Sequence, residues 1–272
     1  MPTVNELLAE ARDALEIADR DARAARLFVV AGKLHATGDE AATTEARALL
    51  AKAAHDGSAL GAFDLAMLLL GGRGGDVDTS EGLTWLRRAA TELPAAAVVL
   101  GGMLLFDAES ATEGVEWLRR AAAAGEAPAF WLLGAAHLRG LGVAVDAHKA
   151  RVLCAAAAEA GVVEAQLELA RLYHGGVGGA RDEAAAARWE RAAAEAGSAE
   201  ACLRVAERAA SRGGGLPLAI PWLERAADAG SAEAAARLAN IYLMGREVPY
   251  DAVVAERWMA RAKELGWRWE PE

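Results

Sequence analysis

Cysteine and proline are scarce in this chain, with two cysteines and seven prolines in 272 residues. Cys154 and Cys202 cannot make a disulfide framework, and neither has a C-x-x-C partner or a neighbouring histidine. Aromatics are few as well, but eight of them are Trp, more than the four Phe and three Tyr together. Trp is ordinarily the rarest of the three, so some regular feature places it. Positive charge is in deficit, and the net charge is −10. An acidic surface repels phosphate backbones and anionic lipid, so neither a nucleic-acid nor a membrane partner is expected. Apolar runs such as Leu65 to Leu70 fall well short of the ~20 residues that a membrane-spanning helix requires. The residues from Met1 to Glu10 lack a basic stretch followed by an apolar run, so a cytoplasmic protein without a secretory signal is expected.

What the chain does contain is a repeat. Trp85-Leu-Arg-Arg-Ala-Ala recurs as Trp117-Leu-Arg-Arg-Ala-Ala, Trp222-Leu-Glu-Arg-Ala-Ala and Trp258-Met-Ala-Arg-Ala-Lys. Trp189 heads a variant, and Leu49 and Leu153 fill the same slot in two more copies. Eight residues beyond each lies a turn residue: Gly57, Leu93, Gly125, Gly161, Gly197, Gly230 and Gly266, at spacings of 36, 32, 36, 36, 33 and 36. Leu93 is followed by Pro94, which ends a helix in another way. Within residues 162–197, Ala165, Leu169, Ala170 and Tyr173 form a helical stripe. The stretch Gly175-Gly-Val-Gly-Gly interrupts it, and a second helix from Arg181 to Ala196 closes at Gly197. Helix, loop, helix and glycine in series predict an all-α, right-handed superhelical solenoid of about six to seven helix-turn-helix repeats, folded as one continuous array.

The fourth and ninth positions past each turn residue test the register. They hold Gly61, Ala97, Ala129, Ala165, Ala201 and Ala234, then Ala66, Gly102, Gly134, Ala170, Ala206 and Ala239. Only Ala and Gly occur, which predicts close helix approach; overpacking such a site costs about 1–3 kcal/mol. The stretch Leu133-Gly134-Ala-Ala-His137, with Gly140-Leu-Gly142-Val143, Asp146 and Lys149-Ala150, resembles the Sel-one-like repeat, a longer-looped relative of the tetratricopeptide repeat. Leu169-Ala170, Tyr173, Gly176, Gly178 and Asp182 are similar to it, as are Leu238-Ala239, Tyr242, Gly245 and Asp251. The resemblance implies an α-solenoid that acts as an adaptor for a protein partner. It spans residues 22–266, divided into units 22–57, 58–93, 94–125, 126–161, 162–197, 198–230 and 231–266. Residues 1–21 are expected to supply a capping helix over 4–19 with Leu7, Leu8, Ala11, Leu15 and Ala18 on one side. Residues 267–272 form a tail whose Trp267 and Trp269 are expected to fold over the open end. Gly101 and Ala209 depart from the repeat pattern, and Pro221 predicts a short or kinked helix.

Catalytic chemistry finds no foothold. His137 fills the aromatic slot of its repeat and is expected in the core, and His35, His55, His148 and His174 are scattered. No H-E-x-x-H or ligand-spaced cluster predicts a metal, and no cofactor is expected. The glycine loops follow helices and lack the Lys-Ser or Lys-Thr of a phosphate loop. Units of this length leave no room for the long loops that hold two opposed acids in helical-barrel glycosidases. A non-enzymatic protein is expected, and its alanine richness suggests a GC-rich bacterial genome. In the tetratricopeptide fold the first helix of each repeat lines the groove. That register places Leu60, Phe63, Asp64, Met67, Leu100, Met103, Phe106, Trp131 and Leu138 on an apolar early stripe. It places Arg171 and Arg204, with Glu164, Glu168, Glu200, Glu207, Glu233 and Arg237, on a charged later one. The expected partner-binding residues are Leu60, Phe63, Met67, Leu100, Met103, Phe106, Trp131, Leu138, Arg171 and Arg204, offered to a protein or peptide partner. Self-assembly of a structural or regulatory protein through the same stripe, as a homodimer in place of a monomer, is the alternative.

Overall fold

The computed structural model describes residues 2–211 and 215–268, which hold fifteen α-helices and no strand. By internal contacts the chain divides into two compact units, Met1–Ala144 and Val145–Glu272. The first holds α1 (Val4–Leu15), α2 (Arg20–His35), α3 (Glu40–His55), α4 (Ala59–Gly71), α5 (Thr79–Ala90), α6 (Pro94–Leu104), α7 (Ala111–Ala123) and α8 (Ala127–Arg139). The second holds α9 (Ala147–Glu159), α10 (Val163–Gly175), α11 (Glu183–Glu195), α12 (Ala199–Ala209), α13 (Gly215–Asp228), α14 (Ala232–Met244) and α15 (Ala252–Glu264). Within each unit every helix packs on the one before it, as a stack of helical hairpins must. From α2 onward the even-numbered helices open a repeat (A helices) and the odd-numbered helices close it (B helices).

The recurring glycine at each repeat end has a backbone reason. Gly57, Gly125, Gly161, Gly197, Gly230 and Gly266 all take positive φ, between 90° and 108°. After each, the next amide reaches back to the alanine carbonyl five residues earlier, as in Ser58 to Ala53, Val162 to Ala157 and Ser231 to Ala226, at 2.9–3.0 Å. This turn satisfies carbonyls that the helix end would otherwise orphan. Ser58, Ser198 and Ser231 then accept from the amide three residues on and start the next A helix, a cap worth about 1 kcal/mol. Asp78, Asp146, Asp182 and Asp251 do the same for the B helices.

The G-x-G pair between the helices does two separate things. Gly140 and Gly176 sit in left-handed conformation and terminate α8 and α10. The second glycine of each pair lies against the preceding B helix: a Cβ on Gly142 would come within 2.4 Å of the Ala111 carbonyl, and one on Gly178 within 2.1 Å of the Ala147 carbonyl. The small residues at the fourth and ninth positions are buried, apart from half-buried Gly102. Gly101, where the pattern calls for leucine, is explained by its neighbours: a Cβ there would meet Leu118 Cγ at 2.6 Å and the Gly114 carbonyl at 2.8 Å. The short α6–α7 connection brings these two backbones together, so no leucine fits.

Two expectations are corrected. The first helix ends at Leu15, because Asp19 takes an extended conformation to cap α2, and Ala18 is exposed. Helix α13 runs unbroken through Pro221 for 14 residues and is therefore not short; Pro221 and Pro217, four residues before it, both lie on its exposed side. Among the described residues Trp85 and Trp258 are the buried tryptophans, and Trp189 is half-buried. Trp269 lies outside the described residues, and Trp267 continues the terminal turn with its amide on the Ala262 carbonyl.

Candidate interaction surface

The A helices bury one side against B helices and turn the other outward. On α4 and α6 that outward side is apolar. Leu60 is 50% exposed, Met67 and Met103 43% each, and Phe106 62%. Phe63, Trp131 and Leu138 are half-buried at the edges of the same face. Leu100 is a correction to the expected binding set. It is fully buried, and α6 is apolar all round, so no amphipathic pattern marks which of its sides faces in. Val29, 46% exposed on α2, occupies the position equivalent to Asp64 and extends the face. Sequence reasoning missed it because no turn glycine precedes the first repeat to anchor its register.

Asp64 is the one acid among these apolar side chains. It is half-buried, and burial pushes its carboxyl above the ordinary 3.8, with His35 partly opposing.

In the second unit the same helical face is a chain of ion pairs. Arg171 donates to Glu168 at 3.0 Å and to Glu200 at 2.8 Å, and Arg204 donates to Glu200 at 2.9 Å. Arg237 bridges Glu233 at 2.6 Å and Glu207 at 2.8 Å. Burial alone would raise the Glu200 carboxyl, but Arg171 and Arg204 outweigh it and hold it low. The Arg171 guanidinium is correspondingly held charged, first by its hydrogen bond to Glu200. Arg171 and Arg204, expected to meet a partner, are thus occupied within the fold. Glu190 of α11 is buried and pairs with Arg208, with Arg204 at 3.8 Å on its other oxygen. Nothing in the sequence distinguished it from a solvated glutamate.

Several other polar and aromatic side chains are engaged within the fold. The ring Nδ1–H of buried His137 donates to the Ala144 carbonyl at 3.2 Å, which ties the loop after α8. His55 stacks edge-on against Trp85 at 4.9 Å, and Arg88, Arg120 and Arg225 lie over Trp85, Trp117 and Trp222. Burial pushes the Cys154 thiol up to about 12, with Glu168 adding to the effect, so it is no nucleophile at neutral pH. Among the described residues no three His, Cys, Asp or Glu side chains converge on a common point, and no helix is long and apolar enough to cross a membrane.

Seven consecutive stretches match the Sel1 repeat: residues 29–58, 59–92, 95–126, 127–162, 163–198, 199–231 and 232–267. The chain belongs to the Sel1 repeat family. Among solved structures, this Sel1 repeat chain is similar to a Sel1 repeat protein from Oxalobacter formigenes, with a TM-score of 0.75 and 27% identity over 97% of this chain and 83% of that one. It also resembles c5321 of uropathogenic Escherichia coli, described as a protective antigen with an SLR fold. There the TM-score is 0.66 and the identity 22%, over 98% of this chain and 65% of that one, which is a likeness of fold alone. No curated protein sequence matches. Sel1 repeat proteins generally mediate protein–protein interactions, and their solenoid is typically non-enzymatic.

Proposed function

We propose that this Sel1 repeat protein is an adaptor that docks a peptide or helix of a protein partner on the outward face of α4, α6 and α8. The observation that carries this reading is the exposure of Leu60 and Met67 on α4, Met103 on α6 and Phe106 in the turn after it, whereas α10, α12 and α14 carry paired charges on their outward sides. Exposed Met and Phe in one patch favour association, because burying them removes apolar area from water at about 25 cal/mol per Å². Met also repacks readily around a partner. In this reading residues 22–266 are the working repeat array, residues 1–21 its cap, and the two buried free thiols suit a reducing cytoplasm.

Site-specific photocrosslinking tests the proposal. A benzoylphenylalanine at position 106 is expected to trap a heterologous protein in the native host, while the same probe at position 171 traps none. A crosslink only to a second copy of this chain would replace the adaptor with a self-assembling protein. Trapping at 171 and not at 106 would move the binding site to the charged face.

A further inference from the structure

Asp64 makes a specific demand on whatever covers this face. Its carboxylate lies at a cavity of about 150 Å³ bounded by Ala31, Gly32 and His35 of α2 and by Met67 and Leu68 of α4. A space of this size holds a benzene-sized group. Burial is the main influence on the carboxyl, His35 is the one side chain that opposes it, and among the described residues no side chain donates a hydrogen bond to it. Its counterparts at the same register behave otherwise: Glu168 is paired to Arg171, Arg204 to Glu200 and Arg237 to Glu233. A purely apolar partner laid over Met67 and Leu60 would strip the remaining water from an unpaired carboxylate. That desolvation works against binding unless the partner supplies a counter-charge.

We infer that the occupant is an amphipathic peptide segment carrying a lysine or arginine. Its basic group enters the α2–α4 cavity and pairs with Asp64, while flanking apolar residues sit on Leu60, Met67, Met103 and Phe106. The inference rests on the docking face proposed above. A guanidinium or ammonium there replaces the lost water, and the net charge of −10 favours encounter with a basic segment.

The test uses the full-length chain and a displayed library of random 16-residue peptides, ~24 Å long as helices, with affinities measured afterwards on synthetic peptides. Selected sequences are expected to carry a Lys or Arg among Leu, Ile, Met or Phe. Asp64→Asn, with unchanged circular dichroism, is expected to weaken them about tenfold or more, as is replacement of the basic residue by norleucine. The two changes together should cost no more than either alone, since both remove one interaction. Peptides that lose binding on Met103→Ser but carry no basic residue, or ignore Asp64→Asn, would leave the docking face standing and overturn the role of Asp64. Peptides indifferent to both Met103→Ser and Asp64→Asn, or a library that yields no binder, would overturn the face and this inference together.

Discussion

Three and ten residues past the turn residue α4 carries Leu60 and Met67, and α6 carries Met103 at the tenth, whereas α10 carries Glu164 and Arg171 and α12 carries Glu200 and Glu207. The backbone devices are shared: left-handed glycine turns, Ser and Asp caps, and small residues where helices touch. One scaffold therefore carries two surfaces of opposite chemistry. In the second unit Arg171, Arg204 and Arg237 are satisfied by neighbouring glutamates, and exposed apolar side chains such as Leu243 and Met244 lie at the end of α14. In the first unit nothing covers the methionines and Phe106, so association is the available route to burying them. Stability is set by the inward positions, which differ little between the units, and the outward positions are free to diverge.

The largest effect should separate the two sides of one helix. Leu100→Ala is expected to cost about 3–4 kcal/mol in chemical unfolding, because it empties a fully buried leucine site. Met103→Ser, one turn away and 43% exposed, is expected to stay within about 1 kcal/mol of the parent. Equal losses from the two would mean that the apolar face of α6 is core.

Next comes the buried acid of the second unit. Arg208→Ala removes the closest partner of Glu190, leaving Arg204 at 3.8 Å, and is expected to cost about 2–3 kcal/mol by thermal unfolding. Arg208→Ala combined with Glu190→Leu should recover most of that loss. Failure to recover would show that the pair organises α11 and α12 beyond its charge.

Smaller effects, of opposite sign, are expected with pH. The folded-state carboxyl of Glu200 lies below its ordinary 4.5, so its contribution is present above that value and is lost as pH falls through the lower, folded one. Its exposure keeps the contribution small and salt-sensitive. Asp64 lies above its ordinary 3.8, so it favours the folded state while protonated, and that advantage disappears as pH rises through the raised value. Stability curves between pH 3 and 7 for Glu200→Gln and Asp64→Asn, each against the parent, should therefore diverge in opposite directions. Divergence in one direction would contradict either the pairing of Glu200 or the burial of Asp64.

How much of this was legible in the sequence depended on whether a residue's role is local. The turn glycines, the A and B helices and the core position of His137 follow from spacing, because a left-handed turn or a helical stripe is a short-range property. Gly101 was flagged by the pattern, but its reason, the backbone of α7 beside it, lies in the tertiary contact. The outward face was found by register, yet Leu100 was assigned to it because α6 is apolar on every side and no amphipathic pattern shows which side faces in. Val29 was missed where no glycine anchored the count. Glu190 and the Arg171–Glu200 pairs were invisible because their partners come from neighbouring repeats or helices. Composition shows that charges exist, not which of them meet.

The most direct measurement compares one triple variant with one core variant. Met67→Ser, Met103→Ser and Phe106→Ser together are expected to leave helicity intact and to lower the melting temperature far less than Leu100→Ala does, while photocrosslinking to a protein partner from a neighbouring position on α4 or α6 is lost. A triple variant that unfolds as readily as Leu100→Ala, or that stays folded and keeps its crosslinks, would contradict the assignment of this face to partner binding.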